Sequence, residues 1–203
     1  MIGRSGMMAN IHQEAGLGHW ADRDAIECFL PDEEIQKLNR DLRILIACNG
    51  TLTRTLGIVA NDEIVVQIVE QQVHDMAPRT SDLEQLPSGR ILQRQILLKG
   101  RSSGHQFVAA ESLIAIDLLP PAITTSLTKT ERPIGEIMNL SCLETFKEAA
   151  EVWIGQPPSW LALAGYQNSD QRIVARRYRV ISGGQPVIII TEYFLQNVLQ
   201  DAP

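Results

Sequence analysis

The sequence predicts an α+β domain built on an antiparallel β-sheet, and three observations indicate this class. Two pairs of segments rich in Val and Ile are each joined by a short turn that contains glycine, which is the pattern of a β-hairpin. A fifth segment of the same kind precedes them. The helical segments are grouped between the strands and do not alternate with them singly, which favours α+β over a parallel α/β fold.

The region before the first strand divides into a leader and a helix. Residues 1–25 are polar, glycine-rich and without periodicity, so they predict a loosely ordered leader, followed by a single domain over residues 26–203. Asp32 is a good N-cap, and apolar residues then recur at helical spacing until Asn49-Gly50. This spacing predicts one continuous helix. Residues 51–56 predict a further helical turn.

The remaining elements follow from alternation and from turn residues. Residues 63–73 alternate and predict a strand, and Pro and Ser residues predict a loop over 78–89. The two hairpins are predicted at 90–100 with 106–116 and at 173–182 with 187–195. Between the hairpins, Pro133 is placed for the first turn of a helix at 134–138. A capping box at 141–144 and an apolar stripe up to Trp153 predict another helix, which ends at Gly155.

Composition and charge exclude several classes of function. The chain has 18 Lys and Arg against 24 Asp and Glu, a net charge of −6, whereas a nucleic-acid-binding protein normally carries a basic stripe. No apolar stretch approaches the ~20 residues that cross a bilayer, and the N-terminus lacks the apolar segment of a secretory signal. The three cysteines form no CxxC pair, so we expect a cytoplasmic protein without disulfides. The four histidines are far apart, so we expect no metal site.

Two charged residues lie on the apolar side of their predicted strands. Residues i and i+2 of a strand share a face, so Arg94 shares its face with Leu92 and Ile96, and Glu192 shares its face with Ile190. A buried charge without a partner costs several kcal/mol. The sequence therefore predicts either that these two charges pair with each other or with another buried charge, or that they bind a ligand.

Other charged residues support less specific interpretations. Glu111 is a third charge on an apolar face and a candidate structural partner for Arg94, Arg176 or Arg177. The alternating arginines of the RRYR segment are more typical of a solvated strand face than of a clamp for an anion.

An ordered set of segments resembles the chorismate pyruvate-lyases, which are also called 4-hydroxybenzoate synthases. The segments are GTLTRTLG, EIVVQIVEQQV, ILQRQILLKG, FVAAESLI, ERPIG and the closing pair RRYRV and QPVIIITEYFL. The AES and R-x-Y versions of these motifs resemble the branch of that family found in cyanobacteria and plastids. The resemblance extends from about the first helix to Leu195.

The resemblance implies a fold, a reaction and a set of site residues. It implies an antiparallel sheet with helices that form flaps over an internal ligand pocket, and the conversion of chorismate to 4-hydroxybenzoate and pyruvate without a metal or an organic cofactor. Arg94 then corresponds to the arginine that holds the ring carboxylate, assisted by the backbone N–H of Ile134. Glu192 corresponds to the glutamate that meets the ring hydroxyl. The product would serve the synthesis of a quinone head group, such as that of plastoquinone.

The sequence also departs from the family pattern and leaves alternatives open. Glu111-Ser112 stands where proteobacterial members have an arginine-threonine pair, and Gln196 stands where a proline is common. Arg177 and Arg54 are both candidates for binding the second carboxylate of chorismate. A different class of function is a non-catalytic sensor for a small aromatic acid, since effector domains of some transcription regulators share this fold; residues 1–40 are too short and unstructured for a DNA-binding domain, which favours the enzyme. The expected partners are therefore chorismate and 4-hydroxybenzoate, and we expect neither nucleic-acid binding nor membrane insertion. The sequence does not distinguish a monomer from a dimer.

Overall fold

A computed structural model describes residues 26–75, 86–167 and 171–195. The leader expected at 1–25 and most of the loop expected at 78–89 lie outside the described residues. The strands are β1 Ile26–Phe29, β2 Ile64–His74, β3 Ile91–Gly100, β4 Gln106–Ala115, β5 Phe146–Lys147, β6 Glu151–Gly155, β7 Ile173–Ser182 and β8 Gln185–Phe194. The helices are α1 Asp32–Ile35, α2 Arg40–Ile46, α3 Leu52–Ala60, α4 Pro121–Lys129, α5 Ile134–Leu140 and α6 Ser159–Leu163.

All strands belong to one antiparallel sheet, which confirms the predicted α+β class. The strand order is β1-β6-β7-β8-β4-β3-β2, and β5 pairs with β7 beside β6. Both predicted hairpins are present as β3/β4 and β7/β8. The second turns at Gly183-Gly184, where φ is 57° and 76°. A two-residue turn with positive φ at both positions matches the twist of the strands, and glycine adopts it without strain.

The helix predicted from Asp32 to Asn49 is wrong in one respect, because the segment forms two helices. α1 ends at Ile35, and Asn39 adopts an extended conformation before α2. The Asn39 side chain accepts a hydrogen bond of 2.8 Å from the N–H of Asp41. A side chain that caps a new helix competes with continuation of the old one.

The helix predicted between Ser141 and Gly155 is also wrong, because this segment forms β5 and β6. Cys142 has a positive φ of 53°, which ends the preceding helix. Val152 and Trp153 are both buried, in core clusters on opposite faces of the sheet, as successive residues of an internal strand must be. β1 and α6, which the sequence analysis did not predict, lie beside and just after β6.

Helices α2 to α5 cover one face of the sheet in two groups, and this arrangement positions the site. We call this the inner face; it carries Leu92, Arg94 and Ile96 of β3. At one end α2 and α3 pack on Ile96 and its neighbours, and at the other end α4 and α5 pack on Leu92 and its neighbours. The opposite, outer face packs against α6. Polar inner-face residues lie in the gap between the two groups of helices.

Candidate active site

A cavity of about 440 Å³ lies on the inner face between the two groups of helices. Side chains of β3, β4, β7 and β8 form its floor, and the start of α3, α5 and β5 form its walls. Apolar side chains and glycines make up most of the lining. The polar lining residues are Asn49, Thr51, Thr53, Ser112, Asn139, Thr145, Lys147, Tyr178 and Glu192. This volume and lining are typical of a site for one small molecule.

Glu192 lies at one end of this cavity and is held by two hydrogen bonds. Arg176 Nε donates to Glu192 Oε2 at 2.5 Å, and Tyr178 Oη donates to Glu192 Oε1 at 3.0 Å. Burial raises the pKa of the Tyr178 hydroxyl well above its usual value, and the Glu192 carboxylate adds to the effect. Tyr178 is therefore a fixed hydrogen-bond donor to Glu192.

Arg176 is the buried cation that balances Glu192. The two residues face each other directly across β7 and β8, and both are buried. The Arg176 guanidinium also donates to the carbonyl oxygens of Ile46 and Cys48, at the end of α2 where a cation is favourable. Burial alone would lower the pKa of Arg176, but Glu192 and Tyr178 outweigh it and raise the pKa.

Arg94 is not among the residues that line the cavity, but it lies opposite the lining residue Ser112 across β3 and β4, and it makes no salt bridge with an acidic side chain among the described residues. It is 1% exposed, and it donates to the carbonyl oxygens of Arg132 at 3.0 Å and of Thr130 at 3.3 Å. Its Nε makes no hydrogen bond to any described residue. Burial lowers the pKa of Arg94, and the Glu131 carboxylate opposes this lowering. The result is a buried cation with N–H donors to spare.

Ile134 begins α5 and lines the cavity together with its neighbours Pro133 and Gly135. No side chain caps this helix at Pro133, and the first N–H groups of a helix have no partner within it. Gly135 permits a close approach of α5 to the start of α3, because a Cβ at this position would lie 3.3 Å from Thr51 Cγ2. The carbonyl oxygen of Arg132, two residues before Ile134, accepts a hydrogen bond from Arg94, so the start of α5 is also close to Arg94.

Arg94 and Glu192 do not pair with each other, and their strand positions leave space between them. β4 lies between β3 and β8, where Arg94 is opposite Ser112 and Glu192 is opposite Ala110. With ~4.8 Å between strands and ~3.4 Å per residue, the two Cα atoms are about 12 Å apart. Ser112 and Ala110 both line the cavity. The strand positions therefore hold the two charged residues apart on the inner face.

Lys147 is a cavity residue that the sequence analysis missed. It lies on β5, where its Nζ donates to the Gly50 carbonyl oxygen at 2.8 Å and lies 5.1 Å from the centroid of the Tyr178 ring. Burial lowers the pKa of the Lys147 ammonium, and the Glu192 carboxylate opposes that lowering. The sequence analysis missed Lys147 because it predicted a helix in this segment. Lys147 reaches the cavity because the segment forms a strand that pairs with β7.

The other charged residues from the sequence analysis lie elsewhere. Arg54 is exposed on α3, and Arg177 and Glu111 are on the outer face, so Glu111 is not the partner of Arg94. Gln95 Nε2 and Tyr193 Oη donate to Glu111 at 2.7 Å and 3.1 Å. Arg177 is buried over the ring of Trp153, so the prediction that the RRYR arginines form a solvated face is wrong.

The described residues lack two features that would define other classes of site. They contain no cluster of three or more His, Cys, Asp or Glu side chains arranged to hold a metal ion. Within the same ranges, no helix is both long enough and apolar enough to span a bilayer.

The fold and the cavity together define an α+β domain with a pocket of small-molecule size, which Glu192 and Lys147 line and beside which Arg94 is buried. Solved structures with this fold include the effector domain of PhnF from Mycobacterium smegmatis, which is 11% identical with a TM-score of 0.55 and aligns over 73% of this chain and 90% of that chain. Another is a GntR-family transcriptional regulator from Bacillus cereus, 11% identical with a TM-score of 0.52 over 70% of this chain and 98% of that one. At these identities the likeness shows the fold alone.

Sequence comparison identifies the family. A family model described as Chorismate pyruvate-lyase Rv2949c-like matches residues 46–201. The chorismate pyruvate-lyase of Mycobacterium tuberculosis (strain H37Rv) is 66% identical over 180 residues, which cover 87% of this chain and 90% of the relative. That of Mycobacterium leprae is 66% identical over 174 residues, 86% of this chain and 83% of the relative. The chain therefore belongs to the chorismate pyruvate-lyase family. These relatives are mycobacterial, so the cyanobacterial and plastid branch expected from the motifs is not supported.

Proposed function

We propose that this protein is a chorismate pyruvate-lyase in which Arg94, the Ile134 N–H and Glu192 hold the ring of chorismate. Membership of the family supports the reaction. One observation carries the assignment of the residues: Glu192 lines a mainly apolar cavity, Arg94 is a buried cation opposite the lining residue Ser112, and the two charged residues do not pair with each other. The ends of chorismate and of 4-hydroxybenzoate, a carboxylate and a hydroxyl, match this arrangement.

The ring carboxylate belongs at Arg94. A guanidinium has five N–H donors in a planar fork that suits a carboxylate, and the described residues accept only some of them. A buried cation without an anionic partner is unfavourable, so a ligand carboxylate supplies what the protein lacks here. The Ile134 N–H, at the positive end of α5, adds a second donor to the same carboxylate.

The ring hydroxyl belongs at Glu192. Each carboxylate oxygen of Glu192 already accepts one hydrogen bond, from Arg176 and from Tyr178. A carboxylate has about four lone-pair sites, so it accepts a further bond from the substrate hydroxyl. Because Arg176 and Tyr178 fix the orientation of Glu192, the hydroxyl and the ring carbon that bears it are fixed as well.

The chemistry is an elimination that makes the ring aromatic. The C–O bond between the ring and the enolpyruvyl group breaks, and its electron pair leaves with enolpyruvate. The hydrogen on the adjacent, hydroxyl-bearing carbon leaves as a proton, and a proton added to the methylene carbon of enolpyruvate gives pyruvate. Aromatisation supplies the driving force, so positioning and electrostatic stabilisation account for the catalysis that these residues contribute. Glu192 is placed to orient the hydroxyl and to accept or relay the ring proton.

The test is to incubate the purified protein with chorismate and to quantify 4-hydroxybenzoate and pyruvate. We expect equimolar products from the wild type and a large loss of kcat/KM in Arg94→Ala and Glu192→Gln. Arg90→Ala is a matched control, because Arg90 is an exposed arginine paired with Asp117. An inert wild type would contradict the reaction, and full turnover in both site variants would contradict the residue assignment.

A sensor is the second candidate, because the solved structures of the same fold include effector domains of transcription regulators. A sensor would bind 4-hydroxybenzoate or chorismate in the cavity without converting it, so the same incubation separates the two functions. Use of the product in the synthesis of a quinone head group stays a prediction.

A further inference from the structure

Lys147 presents an ammonium group to the cavity that the proposed contacts with the ring do not use. An ammonium group has three N–H donors, and the Gly50 carbonyl oxygen accepts one of them at 2.8 Å. The side chain is half-buried and lines the cavity. A lysine in this position has N–H donors available to a ligand.

Lys147 lies at the Glu192 end of the cavity. Its Nζ is 5.1 Å from the centroid of the Tyr178 ring, and the Tyr178 hydroxyl is bonded to Glu192. Lys147 is also opposite Val180, two residues from Tyr178 on β7. Arg94 is on β3, two strands away from Glu192 and outside the lining.

The constitution of chorismate places a second anion at this same end. The enolpyruvyl ether is attached to the ring carbon next to the one that bears the hydroxyl, and it carries its own carboxylate. If Glu192 meets the hydroxyl, the second carboxylate must lie beside that end of the cavity. The sequence offered Arg177 and Arg54 for this carboxylate, but Arg177 is on the outer face and Arg54 is exposed outside the lining.

We propose that Lys147 binds the enolpyruvyl carboxylate of chorismate and so distinguishes the substrate from the product. This inference rests on the proposed function, since it takes the ring to lie with its hydroxyl at Glu192. The adjoining wall is formed by Thr51, Leu52 and Thr53, where α3 begins without a side-chain cap. Uncapped N–H groups at a helix start favour an anion, so they reinforce the charge of Lys147.

The experiment compares ligands with and without the second carboxylate. Lys147→Met removes the charge and keeps the bulk, Lys147→Arg keeps the charge, and Lys37→Met removes an exposed lysine in the turn after α1. For each protein we would measure kcat/KM for chorismate, the Kd of 4-hydroxybenzoate and the Ki of 3-(carboxymethoxy)-4-hydroxybenzoate, a stable dicarboxylate.

We expect Lys147→Met to lower kcat/KM for chorismate about 10- to 100-fold, as the loss of a charged hydrogen bond does. The Ki of the dicarboxylate should rise by a similar factor, while the Kd of 4-hydroxybenzoate should equal that of the wild type. Lys147→Arg should recover most of the loss, and Lys37→Met should behave as wild type.

Two results would overturn the inference. One is an unchanged kcat/KM for chorismate in Lys147→Met. The other is an equal loss of affinity for 4-hydroxybenzoate and for the dicarboxylate, because that would indicate a structural role for Lys147. If Lys147→Met does not fold, the same comparison is made with Lys147→Gln, and the same two results decide. Failure of the proposed function has a different signature, because the wild type would then not convert chorismate or Arg94→Ala would bind 4-hydroxybenzoate as tightly as the wild type.

Discussion

Replacement of Arg176 by methionine would leave the Glu192 carboxylate buried without its cation. The side chains of the pair are only 2% and 6% exposed, so solvent screens their interaction weakly. Removal of one partner of a buried ion pair costs about 3–5 kcal/mol. At about 2–4 °C per kcal/mol for a domain of this size, we expect Tm to fall by roughly 6–20 °C. The carbonyl oxygens of Ile46 and Cys48 also lose their donor, which acts in the same direction.

The assay is urea unfolding followed by circular dichroism, for the wild type, Arg176→Met, Glu192→Met and the double variant. We expect the double variant to be more stable than Arg176→Met alone, because no unpaired charge then remains, with a coupling energy of about 0.5–3 kcal/mol. Arg101→Met is the control, since its pair with Glu63 is exposed and surface pairs contribute about 1 kcal/mol or less. A single variant as stable as this control, or additive costs in the double variant, would refute the reasoning.

Three further predictions concern the hairpin turn, the outer face and product release. The N–H groups of Ser103 and Ser102 lower the pKa of Asp62 to about 2. The Asp62 carboxylate therefore stabilises the folded protein above its unfolded pKa of ~3.9, and this stabilisation is lost as the pH falls towards 2. In urea titrations between pH 5 and pH 2 the wild type should lose more stability than Asp62→Ala, and equal losses would contradict this. Glu111→Gln should destabilise the protein by about 1–3 kcal/mol with unchanged kcat/KM, because Glu111 lies on the outer face; a selective loss of kcat/KM would count against that. Stopped-flow measurement should give a 4-hydroxybenzoate dissociation rate close to kcat, since the walls of the cavity must open, and dissociation much faster than turnover would exclude release as the slow step.

The sequence was sufficient to find Arg94 and Glu192, because strand periodicity is strict. In a strand a residue's face depends only on whether its position is odd or even, so a charge among apolar neighbours i±2 is visible without a structure. Both residues are buried on the inner face as predicted. The catalytic roles given to them remain predictions.

The arginines of β7 were misjudged because burial of a strand depends on its neighbours in the sheet. With only two hairpins and one further strand predicted, β7 would lie at an edge, where alternating arginines face solvent. β6 pairs with its other side, so β7 is internal and both Arg176 and Arg177 are buried. Arg176 is therefore buried beside Glu192 and pairs with it. The sequence analysis had left open that Glu192 pairs with another buried charge.

The missed strands β5 and β6 also explain why Lys147 was overlooked. Apolar residues from Leu143 to Trp153 fit a helical stripe, and a capping box precedes them. Short apolar segments satisfy both helical and strand periods, and their pairing with distant strands decides between the two. The residues of this segment alone do not show that it pairs with β7, which is distant in the sequence.

The charges around the cavity are positive on balance, which suits an anionic substrate. Arg94, Arg176 and Lys147 contribute three positive charges, and Glu192 together with Glu131, whose carboxylate acts on Arg94, contributes two negative charges, a balance of +1. Chorismate is a dianion, whereas 4-hydroxybenzoate retains one carboxylate and the other leaves with pyruvate. A chain with a net charge of −6 thus concentrates positive charge where two carboxylates must be held. In the role proposed for Lys147, this cation no longer holds the ring once the C–O bond is broken, so cleavage itself would weaken the binding of 4-hydroxybenzoate.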